Sequence, residues 1–337
     1  MSAQCLIAIA TPPLATIQDV GRRGWMRWGV SGSGAMDIEA LAAGNALVGN
    51  GWHEAAIEFA WIGGEWEIAA RSCRLAVTGG NFRLTVDGIE RPPYLSLDLR
   101  RGQRVRVEGA KDAVWGYIAV QGGFNVPELL GSRATLLRAK LGGVDGRMIA
   151  AGDALPLRAG DISHAPTRAL PIPLKRSWQE IRVLLGPQDD HFPRTTLSNF
   201  AAEDWQVTNR IDRMGYHLSG PKLVHGEKGA NIVSDGIAVG SIQVPASGQP
   251  IALMRDCQPT GGYPKLATIL GCDLGRLAQI RPGSTLRFTP VSRVMAAHLH
   301  REFTNRLADL DRQARAARGV FVRRRGSLGE LIGTMAG

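Results

Sequence analysis

Residues 121–157 read QGGFNVPELLGSRATLLRAKLGGVDGRMIAAGDALPL, and residues 260–288 read TGGYPKLATILGCDLGRLAQIRPGSTLRF. In the first stretch Gly122-Gly123-Phe124 precedes Leu130-Gly131, Gly146-Arg147 and then Gly152 before an alternating strand. In the second, Gly261-Gly262-Tyr263 precedes Leu270-Gly271, Gly275-Arg276 and Gly283 before another. Four landmarks in one order at similar spacing predict two copies of one β fold. The length agrees, because 337 residues exceed what one core usually supports and suggest two domains of ~150 residues.

The 42 glycines and 18 prolines punctuate many short apolar stretches. Examples are Cys73 to Val77, Arg104 to Glu108, Val114 to Val120, Ile181 to Leu185 and Ile251 to Arg255. Short apolar runs between tight turns predict a mainly β barrel or sandwich rather than alternating βαβ units. Helices are few. Ile38 to Val48 has apolar residues at helical spacing after Asp37, an N-cap type, with Asn50-Gly51 expected to close it. Prolines 166, 171 and 173 mark a linker between residues 161 and 175. Residues 293–318 predict a C-terminal amphipathic helix, followed by an arginine-rich, mobile end.

With 44% hydrophobic and 21% charged residues the chain should fold. No apolar run reaches the ~18 residues of a membrane span, and no export signal opens the chain. Cys5, Cys73, Cys257 and Cys272 lack C-x-x-C spacing, so a reducing, cytoplasmic setting is expected. Half of the net charge of +10 sits beyond residue 290, where nine arginines face four acids. With no zinc finger, helix-turn-helix or aromatic stripe beside it, this charge predicts a solvated or partner-facing tail and no nucleic-acid partner.

Several familiar chemistries find no support. No stretch matches the P-loop G-x-x-x-x-G-K-[ST], and there is no G-x-S-x-G elbow. Gly29 to Gly34 resembles a phosphate nest but lacks the βαβ context, leaving a structural turn or a nest for a small anion. His298 and His300 do not share a helix face, so no metal site is expected. Polar residues instead gather in glycine-rich turns: Thr16 to Arg22, Ser33 to Asp37, Asn45 and Asn50. A carboxylate beside an arginine in such a turn either recognises a small polar ligand or forms a buried ion pair that holds the loop. Both readings stand on the residues alone.

The runs Thr16-Ile17-Gln18-Asp19-Val20-Gly21-Arg22-Arg23-Gly24, Gly29 to Asp37, Ala43 to Asn50 and Leu130-Gly131-Ser132-Arg133-Ala134-Thr135 resemble the biotin-dependent carboxyltransferase family, which includes KipA and the C subunit of 5-oxoprolinase and was formerly described as the second subunit of allophanate hydrolase. Asp212 to Gly215, Gly240 to Pro245 and Thr260 to Pro264 extend the match, which runs from about Ala10 to Phe288. Pro259 departs from it where a threonine is frequent, and the end from Arg318 falls outside it.

The resemblance implies two cyclophilin-like β-barrel domains, residues 1–170 and 171–290, with residues 291–337 as a helical, arginine-rich tail. It implies one member of an ATP-dependent 5-oxoprolinase assembly, working with a KipI-like and a LamB/YcsF-like partner on a small amide. ATP then belongs to the assembly, not necessarily to this chain. The alternatives are transfer of carboxylate from carboxybiotin to a urea-like nitrogen, or relief of a kinase inhibitor. The chain has no Met-Lys-Met biotin attachment segment, and 337 residues leave no room for a biotin carboxylase beside two barrels. A resonance-stabilised amide needs its developing charge stabilised. The expected catalytic residues are Asp19, Arg22, Asp37, Arg213 and Asp256, and the expected substrate-binding residues are Arg133, Asn45 and Tyr263.

Overall fold

A computed structural model of the chain describes residues 4–159, 162, 166–171 and 180–316. The arginine-rich end from Arg318 and much of the expected linker lie outside these residues. The protein is mainly β, with few helices, as the glycine-punctuated pattern predicts.

In the first half a six-stranded sheet has the order Ala154–Pro156, Cys5–Ala10, Gly64–Ile68, Arg104–Val107, Leu84–Val86, Ile89–Arg91. A five-stranded sheet has the order Thr16–Gln18, Ala56–Ala60, Trp115–Val120, Ser72–Thr78, Leu97–Arg100. Their facing side chains, among them Leu6, Trp66 and Val105 from one and Ile57, Leu75 and Ile118 from the other, form one apolar core. Arg104 and Arg106 alternate with buried Val105 and Val107, the period of two of a sheet with one wet face. Trp115–Val120 is buried throughout, because α1 (Ile38–Val48) covers the other face of its sheet. A strand buried on both faces therefore reads as a continuous apolar run.

The helix is where the sequence predicts it. Asp37 caps it by accepting from the Ala40 N–H at 3.2 Å. It ends one residue earlier than Asn50-Gly51 suggests, at Gly49, whose φ of +82° turns the chain out of the helix. Gly44 sets the approach to the sheet, since a Cβ there would lie 3.0 Å from Thr78 Oγ1 and 3.2 Å from Ala119 Cβ.

The second half closes into a seven-stranded barrel in the order Glu180–Leu185, Lys265–Ile269, Ser241–Gln243, Ile251–Leu253, Gly215–Ser219, Trp205–Ile211, Thr285–Pro290. A parallel pairing of Glu180–Leu185 with Thr285–Pro290 completes the ring. The helix α2 (Arg194–Ala202) packs against Thr285–Pro290, with Phe200 stacked on Phe288 at 4.7 Å. The short helix α3 (Leu274–Ala278) follows Lys265–Ile269.

Among the described residues, strands before residue 157 pair with one another and strands after 179 pair with one another. A division into residues 1–170 and 171–290 rests on that observation as a proposal. Packing crosses the division, since Met36, Ala60, Val114 and Trp115 belong to the barrel's apolar cluster. The last helix, α4 (Arg293–Ala316), returns to the first half and buries Leu307, Leu310 and Ala314 against α1. No described helix is long and apolar enough to cross a membrane.

Candidate functional site

Two turns, residues 19–22 and 31–35, meet backbone to backbone beside the barrel. The Arg22 N–H donates to Gly32 O at 2.6 Å and the Ala35 N–H to Asp19 O at 2.8 Å. Gly21 and Gly34 face each other with φ of +87° and +94°, and a Cβ on Gly34 would lie 2.8 Å from Gly21 N. The approach admits glycine alone at both places.

The Asp19 carboxylate is fully engaged. Oδ1 accepts from Gly21 N–H at 2.8 Å and Ser132 Oγ–H at 2.6 Å, and Oδ2 accepts from Arg133 N–H at 2.6 Å. Asp19 thus staples the 131–135 turn to the first turn. Arg133 enters through its backbone, while its guanidinium pairs with Glu128 at 3.0 Å.

Arg213 comes from the other half. Its Nε and Nη2 donate to Asp256 at 2.8 and 2.9 Å, Nη2 also to Gly34 O at 2.8 Å, and Nη1 pairs with Glu58. Ser33 Oγ lies 2.7 Å from both Asp256 Oδ1 and Thr135 O. Glu58 Oε2 accepts from the Met36 N–H and the Tyr117 hydroxyl, both at 2.7 Å. Burial opposes the charge on Arg213, yet Asp256 and Glu58 outweigh it and raise its pKa. Burial raises the Glu58 pKa, with Arg213 pulling the other way. This is a three-member ion network with every strong donor occupied.

Arg22 differs. It is 3% exposed, and its guanidinium donates through Nη2 to Ala134 O while Nε and Nη1 have no partner. Thr135 Oγ1, on the same turn, is also buried without a partner. Burial lowers the Arg22 pKa against the pull of Asp19 and Asp256. Buried polar groups are nearly always satisfied, so a guanidinium with two idle donors is a strain reservoir or a ligand site.

The structure gathers Asp19, Arg22, Arg213 and Asp256 at these turns, with Arg133 joining through its backbone, and Arg213 and Asp256 contact Ser33 directly. Asp37 adjoins them, its N–H donating to Tyr117 Oη at 2.8 Å and its Oδ2 accepting from Gln279 Nε2 at 3.1 Å. Asn45 ties the end of α1 to the following loop through Glu54 O at 2.7 Å and Asn50. Tyr263, 42% exposed, stands in the loop beside the Asp235–Gly236 and Thr260–Gly261 ladder, and no hydrogen bond links it to the network. Sequence reasoning missed Glu58 and Tyr117. An acid inside the apolar run Ala56-Ile57-Glu58-Phe59-Ala60 is the signal that would have found the first.

In the 29–34 turn the N–H groups of Gly29 and Val30 donate to Met26 O and Trp25 O. The N–H groups of Ser33, Gly34, Ala35, Met36 and Asp37 donate to Arg255 O, Gln18, Asp19 O, Glu58 and Tyr117. The N–H groups of Ser31 and Gly32 donate to no described residue, two free amides against the several that cradle an ATP phosphate.

Two β halves joined by the buried Arg213–Glu58 pair across their junction match a family model described as carboxyltransferase domain, subdomain A and B, over residues 28–290. The chain belongs to that family. It is 41% identical to the C subunit of 5-oxoprolinase from Haemophilus influenzae over 288 residues, 86% of this chain and 92% of that one. To the Escherichia coli protein of the same name it is 34% identical, covering 82% of this chain and 88% of that one. The solved K. lactis urea amidolyase superposes with a TM-score of 0.82 at 26% identity over 92% of this chain, which spans only 20% of that longer polypeptide.

Proposed function

We propose that the chain is the C subunit of a heteromeric, ATP-dependent 5-oxoprolinase that opens 5-oxoproline to L-glutamate with KipI-like and LamB/YcsF-like partners. The observation that carries this reading is the 41% identity to the Haemophilus influenzae protein across 92% of its length. On this reading ATP belongs to the assembly, not necessarily to this chain, and no step on this chain runs through it.

Within the site, Arg22 is the residue with capacity to act. Opening a cyclic amide builds negative charge on the amide oxygen, and two preorganised donors in a dry setting stabilise such charge. Nε and Nη1 of Arg22 are such donors. Asp19, Arg213 and Asp256 hold the turn that presents them. The match to urea amidolyase favours a second reading, carboxyl transfer to a urea-like nitrogen, with the same charge to stabilise.

Mixing the purified chain with its two partners, ATP and 5-oxoproline should release glutamate, measurable with glutamate dehydrogenase. The chain alone should release none. Equal turnover with the chain omitted, or turnover by the isolated chain, would overturn its assignment to the assembly.

A further inference from the structure

A groove of about 410 Å³ lies between the outer loops of the two halves, lined by Met26, Arg27, Ile237, Ala238, Pro259 and Thr260 with two glycines. Its volume falls within the ~300–1,000 Å³ of small-molecule sites. One wall is the 3-10 turn Met26–Trp28, ended by Gly29 at φ +83°. The other is the ladder of Asp235–Gly236 with Thr260–Gly261 and the residues flanking it.

Both walls run directly into the buried network. Two residues past Gly29, Ser31 Oγ donates to Cys257 O at 2.7 Å, and Cys257 is two residues before Pro259. Asp256, the partner of Arg213, precedes Cys257. The groove is therefore continuous with the buried Arg213 network.

Its chemistry is mixed in a specific way. Met26, Ile237, Ala238 and Pro259 offer apolar walls. Arg27 makes no ion pair or hydrogen bond among the described residues, and its guanidinium lies 5.5 Å from the Trp28 ring centre. Trp28 itself is 68% exposed, a large ring left in water at the rim. The Thr260 hydroxyl is likewise unspent, and the Arg27 charge matches a carboxylate.

We propose that this groove binds the substrate, a small cyclic amide bearing a carboxylate. Arg27 and the Thr260 hydroxyl take the carboxylate, and the apolar walls cover the ring methylenes. Naming the ligand rests on the 5-oxoprolinase reading.

The test is a titration of the isolated full chain with 5-oxoproline, following the fluorescence of Trp28 against a Trp28→Phe control. A saturable change is expected. It should weaken about tenfold or more in Arg27→Gln, the loss of a charge-assisted hydrogen bond, and vanish in Ala238→Trp, which fills the groove from an exposed position. In the three-protein assembly Arg27→Gln should raise KM for 5-oxoproline with little change in kcat.

Three results would overturn the proposal. One is no saturable change in the isolated chain. Another is equal binding of 2-pyrrolidone, which lacks the carboxylate. The third is an Ala238→Trp protein that binds 5-oxoproline normally but no longer assembles, which would make the groove a docking surface. Binding by the isolated chain with no glutamate release from the wild-type assembly would sink the oxoprolinase reading and leave the groove assignment standing.

Discussion

Two buried arginines a few residues apart in space have opposite energetics. Arg213 neutralises Asp256 and Glu58, so removing it leaves two buried carboxylates uncompensated. Arg22 carries desolvated charge with two donors idle, a cost that folding alone does not recover. Arg213→Met is therefore expected to destabilise by about 3–5 kcal/mol in denaturant titrations. Arg22→Met should leave stability unchanged or raised while lowering turnover of the assembly, the trade-off of a site held strained for function. A large stability loss in Arg22→Met would return Arg22 to a structural role. Arg22 stood out in the sequence because it sits in a glycine-rich turn, whereas Arg213 and Asp256 were named only through the amide chemistry the resemblance implies. Which of them has spare hydrogen-bonding capacity was not legible, because that depends on partners over a hundred residues away.

At the scale of elements, helices behave as their termini and faces dictate. α3 starts at Asp273, which is fully buried and accepts from Arg182 N–H at 2.9 Å, from its Nε at 2.8 Å, and from Arg276 at 3.2 Å. Burial pushes the Asp273 pKa up, but the Arg182 hydrogen bonds outweigh it and hold the value below the usual 3.8. The sign follows: this stabilisation is complete above about pH 3.8 and is lost as pH falls through the lower folded value. Asp273→Asn should cost about 3 kcal/mol at pH 7, and the gap to wild type should narrow below pH 4. A gap that does not change with pH would show packing, not charge, to be its source. The tail helix was legible from its 3.6-residue spacing. Its docking was not, because Arg306–Glu39 at 3.1 Å and Arg168–Asp311 at 2.9 Å join residues far apart in the chain. Its described part is packed on the first half and is no free appendage.

Over the whole molecule, one glutamine binds the halves. Gln279 Oε1 accepts from the N–H groups of Val114 and Trp115 at 2.9 Å, and its Nε2 donates to Trp115 O and to Asp37. Beside it Trp115 Nε1 donates to Tyr216 Oη at 2.9 Å, which donates to Ala278 O at 2.8 Å. Gln279→Ala strands several buried backbone groups, each worth about 1–3 kcal/mol when unsatisfied. A fall of several degrees in Tm is expected by calorimetry. An unchanged Tm would mean that the shared apolar cluster alone carries the junction.

The sequence by itself determined the strands, the N-capped helix and the glycine-framed turns, because these follow from local periodicity, backbone sterics and capping. Tertiary structure decided that the second half closes into a barrel while the first lays down two sheets. It also decided that Glu58 joins Arg213, and that an apolar groove forms beside the buried pairs. Strand pairing and ion-pair choice turn on residues distant in the chain, whose encounter is set by how both halves bury their apolar faces at once.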